Sequence, residues 1–257
     1  MELILKNMEG QLLYKLNLKF NHSMIYGIAG DGKDEFLSMF YNLSFDKGII
    51  MIDNERLLKK NYSSLIKEIK TINQLEVLST VEETIQYFLL KQKLKRTNQK
   101  IISSLKLVGL DDQYLDKKTS TLSTTEKIML SLACELLGEF KILIIDGLFE
   151  QLDRKLRQKI FRILLKLKEK KEVMICVGSN DLNILYQYTD KMILFSNKEV
   201  ILETDTNELS VHIDLLIEKK FDIPDVLMIT YLAKKKGIKI DYHKDVRDLM
   251  KDVYKHV

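Results

Sequence analysis

Lys33 lies in the stretch "GIAGDGKDEF", residues 27–36, with glycines at 27, 30 and 32 before it and three acids, Asp31, Asp34 and Glu35, around it. Gly27, Gly32 and Lys33 keep the spacing G-x-x-x-x-G-K-[ST] up to its last position, where Asp34 replaces the hydroxyl residue. That spacing belongs to loops that wrap backbone N–H donors and a helix N-terminus around a polyphosphate, so each added acid opposes the ligand. Asp34 has the right chemistry to bind Mg²⁺ directly. It would then sit within a few ångström of phosphate oxygens, where like charges cost roughly 1 to 4 kcal/mol. A second carboxylate comes from "KILIID", residues 141–146, whose apolar run ends in Asp146. A buried strand ending this way delivers a carboxylate to a metal beside the phosphate loop. Gly27, Gly30, Gly32, Lys33 and Asp34 are therefore the candidate nucleotide contacts, with Asp146 as candidate metal ligand.

The elements that must position these groups are legible as patterns. Leu16, Leu18 and Phe20 alternate with Asn17 and Lys19, which predicts a half-buried antiparallel strand. Residues 24–26, 49–52, 141–145 and 173–177 are short continuous apolar runs, expected as parallel strands buried on both faces. Between the last two, Leu156, Ile160, Ile163, Leu164 and Leu167 have helical spacing, and Asp153 stands as N-cap. Strand, helix, strand, with the glycine loop at the first strand's end, predicts an α/β fold of P-loop type. Residues 75–138 read as an inserted helical subdomain. A strand pair follows at 192–195 and 200–202. The chain thus divides into a nucleotide-binding domain, 1–206, and a C-terminal helical extension, 207–257.

Bulk properties narrow the class. The 257 residues are 46% hydrophobic, enough for a large core. Lys+Arg 41 against Asp+Glu 37 leaves a net charge of +4, too small to point to nucleic acid. Cys134 and Cys176 lie in apolar surroundings and are expected as reduced thiols. No apolar stretch approaches the ~18 residues of a membrane span, so a cytoplasmic protein is expected.

Three further segments make the pattern specific. "TLSTTEKIMLSLACELLGEFKILIIDGLFEQLD", residues 121–153, resembles the block of ABC-transporter ATPases that runs from the LSGGQ signature to the L-D after the second motif. "INQLEVLSTVEETIQYFL", residues 72–89, resembles the Q-loop and T-V-E-E turn of the energy-coupling-factor (ECF) subgroup, and "FDIPDVLMITYLAKKKGIKI" resembles that subgroup's C-terminal helices. The resemblance implies an ABC ATPase core with an antiparallel β subdomain and a helical subdomain. It implies Gln74 as a nucleotide and metal contact beside Asp146, Ser123 as the signature serine facing a partner's nucleotide, and ATP and Mg²⁺ as cofactors.

Departures from the family pattern are as informative. The water-activating glutamate is Gly147, the switch histidine is Asn180, the signature glycines are Thr124 and Thr125, and the following arginine is Met129. Tyr14 is the only candidate aromatic platform for adenine. ATP and Mg²⁺ binding is accordingly expected to be weak or absent. The reading is a poorly hydrolysing subunit of an ECF-like importer, more readily paired with a second, competent ABC subunit than with itself. It would lie on the inner face of the membrane through a multi-span partner, touched around residues 74–80. A slow but genuine ATPase, and a soluble regulator or nucleic-acid-associated protein of the same fold, are the alternatives.

Overall fold

The computed structural model describes residues 1–11, 13–58, 65–69 and 80–256. Two sheets form the scaffold. The first comprises β1 (Glu2–Glu9), β2 (Leu16–Asn21), β4 (Lys47–Ile52) and β5 (Glu55–Arg56), antiparallel in the order β2-β1-β4-β5. The second comprises β3 (Ile25–Gly30), β6 (Ile66–Ile69), β7 (Ile142–Asp146), β8 (Met174–Gly178), β9 (Lys191–Ser196) and β10 (Glu199–Asp205). Its order is β10-β9-β3-β8-β7-β6, parallel throughout except for β10, which returns antiparallel beside β9.

Residues 49–52, expected as a doubly buried parallel strand, instead pair antiparallel with β1, and Ile50 is the fully buried member of β4. Ile50 joins the core with Ile52 packed against it, while Ile49 and Met51 are only partly buried. β6 went unanticipated. Its sequence, Ile-Lys-Glu-Ile, buries only the two isoleucines, as an outer strand can.

β3 shows how the sheet organises the core. Tyr26 and Ile28 point to the face covered by the antiparallel sheet and α1 (Lys33–Asn42), while Ile25 and Ala29 point to the opposite face. On the first face Phe20, Phe36 and Phe40 cluster, with ring centroids 5.1 to 6.2 Å apart. The opposite face is covered by helices. α2 (Val81–Lys91), α3 (Asn98–Leu107) and α4 (Thr124–Glu135) make the helical subdomain, followed by α5 (Arg154–Lys171) and α6 (Leu182–Tyr188). α7 (Ile213–Glu218), α8 (Asp225–Lys235) and α9 (Val246–His256) complete the chain. Leu216, Leu227 and Leu249 from these last three join the same core. No described helix is long and apolar enough to cross a membrane.

The helix starts that border the site are strongly specified. Thr80 caps α2 and Ser123 caps α4, each in a reciprocal capping box with the glutamate three residues on, Glu83 and Glu126. Asp153 caps α5 by accepting from Leu156 N–H at 2.9 Å. Such caps are worth about 1 kcal/mol each.

Candidate functional site

Much of the glycine-rich stretch is paired within the sheet. Gly27 lies inside β3, opposite Val177 of β8 on one side and Met192 of β9 on the other. Pairing with β9 continues through Gly30, opposite Phe195. Residues 27–30 are therefore ladder, and only Asp31 and Gly32 connect the strand to α1. The glycines answer to close packing here. A Cβ on Gly30 (φ +101°) would stand 1.9 Å from the carbonyl oxygen of Phe195, and one on Gly32 would stand 2.7 Å from Leu13 Cδ2. The N–H of Gly30 donates to Asn180 Oδ1 at 3.2 Å, which ties the switch position to the end of β3.

Lys33 opens α1, and its side chain is only 9% exposed. Its Nζ donates to Asp146 Oδ1 at 2.7 Å and also pairs with Asp34. Burial works against its charge, but the hydrogen bonds it donates to the two carboxylates outweigh it and hold the pKa above the usual lysine value. Asp146 is 16% exposed at the tip of β7, and Asp34 is 84% exposed. The structure thus brings together Lys33, Asp34, Asp146 and Asn180 at the ends of β3, β7 and β8.

Of the three acids around Lys33, only Asp34 reaches it among the bonds seen. Asp31 turns away and accepts from the N–H groups of Asn197 and Lys198, at 2.8 and 3.4 Å, in the β9–β10 turn. Glu35 lies along Gly10, where a Cβ would meet its Oε1 at 2.3 Å. Asp31 is thus bonded to a neighbouring turn and Glu35 lies against Gly10. Tyr14 follows Leu13, which packs on Gly32, and is 59% exposed. Gln74 lies outside the described residues, as does most of the stretch 74–80.

Next to Asp146, Gly147 has φ +65° and open space around its Cα. Two groups here were not anticipated from the sequence. Ser179, fully buried after β8, donates its hydroxyl to the Glu150 carboxylate, and accepts from Asp181 N–H at 3.1 Å. Glu150 lies three residues past the expected position of a water-activating carboxylate. Apart from its nearness to Asp146 in sequence, no pattern singled it out.

Ser123 sits apart, at the start of α4. Its hydroxyl accepts from Glu126 N–H at 3.3 Å and donates to Glu126 Oε2 at 2.7 Å. The other carboxylate oxygen of Glu126 accepts from Tyr114 OH at 2.6 Å. These bonds, Tyr114's the strongest, hold the Glu126 carboxyl at a pKa of about 2. Beside this cap a cavity of about 490 Å³ opens between Leu107, Met129 and Ile163, with Lys159, Arg162 and Lys166 lining its α5 side. Thr124 and Thr125 form the first turn of α4, so the threonines at the signature-glycine positions are accommodated as ordinary helix.

Comparison with known proteins agrees with this architecture. The family model described as ABC transporter matches residues 13–149, more than half of the chain. The energy-coupling factor transporter ATP-binding protein EcfA2 of Acetivibrio thermocellus is 25% identical over 247 residues, covering 92% of this chain and 87% of that protein. EcfA1 of Oenococcus oeni is 26% identical, covering 91% and 86%. Among solved structures, cbiO1 of Clostridium perfringens, described as part of the ABC transporter complex cbiONQ, superposes with a TM-score of 0.70 at 20% identity, over 89% of this chain and 98% of that one. A dimeric ATP-binding cassette, MJ0796, bound to ADP and Pi, does so with a TM-score of 0.60 at 21% identity, over 79% and 98%. A sheet that carries Lys33 and Asp146 side by side, a capped signature helix and a full-length likeness to energy-coupling factor ATP-binding proteins lead to one assignment: the chain belongs to the ABC transporter family.

Proposed function

We propose that this chain is an ATP-binding-cassette subunit of an ECF-like membrane importer that hydrolyses ATP poorly or not at all and pairs with a competent ATPase subunit. The observation that carries this reading is Gly147. The position next to Asp146, where a carboxylate would polarise the attacking water, has no side chain and a left-handed backbone that disfavours one. The switch position reinforces it, because Asn180 is committed to the Gly30 N–H and has no basic nitrogen for a γ-phosphate. The partner subunit's motifs then carry turnover, and this chain supplies the Ser123 face and transmits closure to a multi-span membrane protein through the stretch around residues 74–80. It is cytoplasmic and peripheral to the membrane through that partner. The uncovered apolar side chains of α8 and α9, among them Leu232, Val246 and Tyr254, fit a subunit contact.

One observation favours a second reading, a slow ATPase in its own right. Glu150 is held by the Ser179 hydroxyl next to Asn180, where a carboxylate could orient a water. Steady-state ATPase assays on the reconstituted complex separate the two. Changing the partner's catalytic glutamate to glutamine abolishes turnover under the first reading, and Glu150→Gln in this chain changes nothing. Residual turnover that disappears with Glu150→Gln would establish the second.

A further inference from the structure

We propose that the cavity between the helical subdomain and α5 is a binding pocket for a small organic anion with an apolar body, its anionic group a phosphate or a carboxylate. The proposal concerns this chain alone and does not depend on the importer reading.

Positive charge is concentrated where the cavity lies. α5 carries nine basic residues against one acid, Glu169, in a chain whose net charge is only +4. Lys159, Arg162 and Lys166, at i, i+3 and i+7, share one face of that helix and line the cavity. At 1.5 Å per residue their backbone positions span about 10 Å. Elsewhere on α5, Lys168 is paired with Asp190 at 2.9 Å, and Arg157 donates to the carbonyl oxygen of Leu152 at 2.7 Å. Among the described residues, Lys159, Arg162 and Lys166 have no such partner. The acid in the lining, Glu126, is already engaged: one oxygen accepts from Tyr114 OH and the other from the Ser123 amide and hydroxyl. Three like charges facing one cavity repel each other and attract an anion.

The rest of the lining is suited to an apolar body. Val108, Leu110, Met129 and Ile163, each 4 to 7% exposed, present the edge of the core to the cavity. A solvated helix face has no use for such a floor, whereas a ligand pocket combines apolar walls with a few charged groups. Its volume of about 490 Å³ lies in the range of small-molecule sites. Lys33, Asp34, Asp146 and Asn180 are absent from the lining, so the pocket is separate from the site at the ends of β3, β7 and β8. It touches the end of α3, the first turns of α4 and the middle of α5. A molecule bound there ties the helical subdomain, and with it Ser123, to the helix that follows Asp153.

Calorimetric titration of the full chain with 1-naphthyl phosphate and with 1-naphthoate tests this, with inorganic phosphate and 1-naphthol as the separate halves. At least one of the two amphipathic anions should bind at one site per chain with a Kd below about 1 mM and raise the Tm. The tighter of the two tells phosphate from carboxylate. Each half alone should bind at least about tenfold more weakly. Arg162→Glu combined with Lys166→Glu, both at exposed positions, should weaken the amphipathic anion at least about tenfold. Thr125→Trp, which fills the cavity from the half-buried first turn of α4 without changing charge, should do the same. Both variants leave Lys33 and Asp146 untouched. Unchanged affinity in the charge-reversed chain would put the binding elsewhere and overturn the proposal, whatever Thr125→Trp does to folding. The absence of saturable binding by either anion up to about 5 mM overturns it as well. So does tighter binding of poly-glutamate than of either anion, which would make the occupant an acidic protein segment.

Discussion

The two ends of a cassette half-site have fared differently in this chain. Around Ser123 the helix start is held by a reciprocal set of bonds: hydroxyl with amide, carboxylate with amide and hydroxyl, and a tyrosine behind them. Around Lys33 the helix start has no side-chain cap at Gly32, and its charges are matched only by each other. The Ser123 end faces outward and is also needed to hold α4 in the helical subdomain, so folding alone preserves it. The Lys33 end exists to meet a ligand. A buried lysine needs a carboxylate at hand, and Asp146 supplies it.

Breaking the ion pair should give the largest effect. Asp146→Asn leaves the Lys33 ammonium with only the exposed Asp34, and should cost about 3 kcal/mol in urea unfolding. Combining Lys33→Met with Asp146→Leu removes both charges and should recover most of that loss. A large Asp146→Asn effect that persists in the double variant would mean that Asp146 matters for something other than Lys33. At the other end, Ser123→Ala removes a cap and should cost about 1 kcal/mol, measured the same way. Gly147→Glu sharpens the contrast further. Space is available, but the left-handed backbone adds about 1 kcal/mol of strain, and with Asp34 in place of the hydroxyl residue and Asn180 in place of the switch histidine the variant should show no gain in ATPase rate.

Much of this was readable in advance. Period-2 alternation located β2, the apolar runs located β7 and β8, and Asp153 marked a helix start where it is observed. The extent of β3 was not legible at the glycine-rich stretch, because motif spacing counts residues and ignores which of them are extended. The signal was present: "MIYGIAG" is apolar or small from Met24 to Gly30, which suits one uninterrupted buried strand as well as a strand with a loop. Likewise the apolar run at 49–52 gave a strand but not its direction, since orientation is set by pairing with β1 across the chain. Glu150 and Asp31 owe their roles to contacts with Ser179 and the Asn197–Lys198 turn, which no local pattern encodes.

The smallest expected effect tests the intact end by its pH dependence. Glu126 titrates at about 2 in the folded chain, mainly through Tyr114, and near its ordinary value of 4.5 when unfolded. A carboxyl whose folded pKa is depressed contributes stability that is fully present above about pH 4.5 and is lost as pH falls through about 2. Because the pair lies near the surface, solvent screening keeps the contribution of the Tyr114 bond small. Tyr114→Phe raises the folded pKa of Glu126 toward the unfolded value. The variant should therefore be slightly less stable than the unaltered chain at pH 7, and the difference should shrink between pH 4.5 and 2. Urea unfolding of both proteins across that range measures it. A difference that stays constant down to pH 2 would place the role of Tyr114 in packing, including its contact with Lys117 at 3.5 Å, instead of in the charge of the α4 cap.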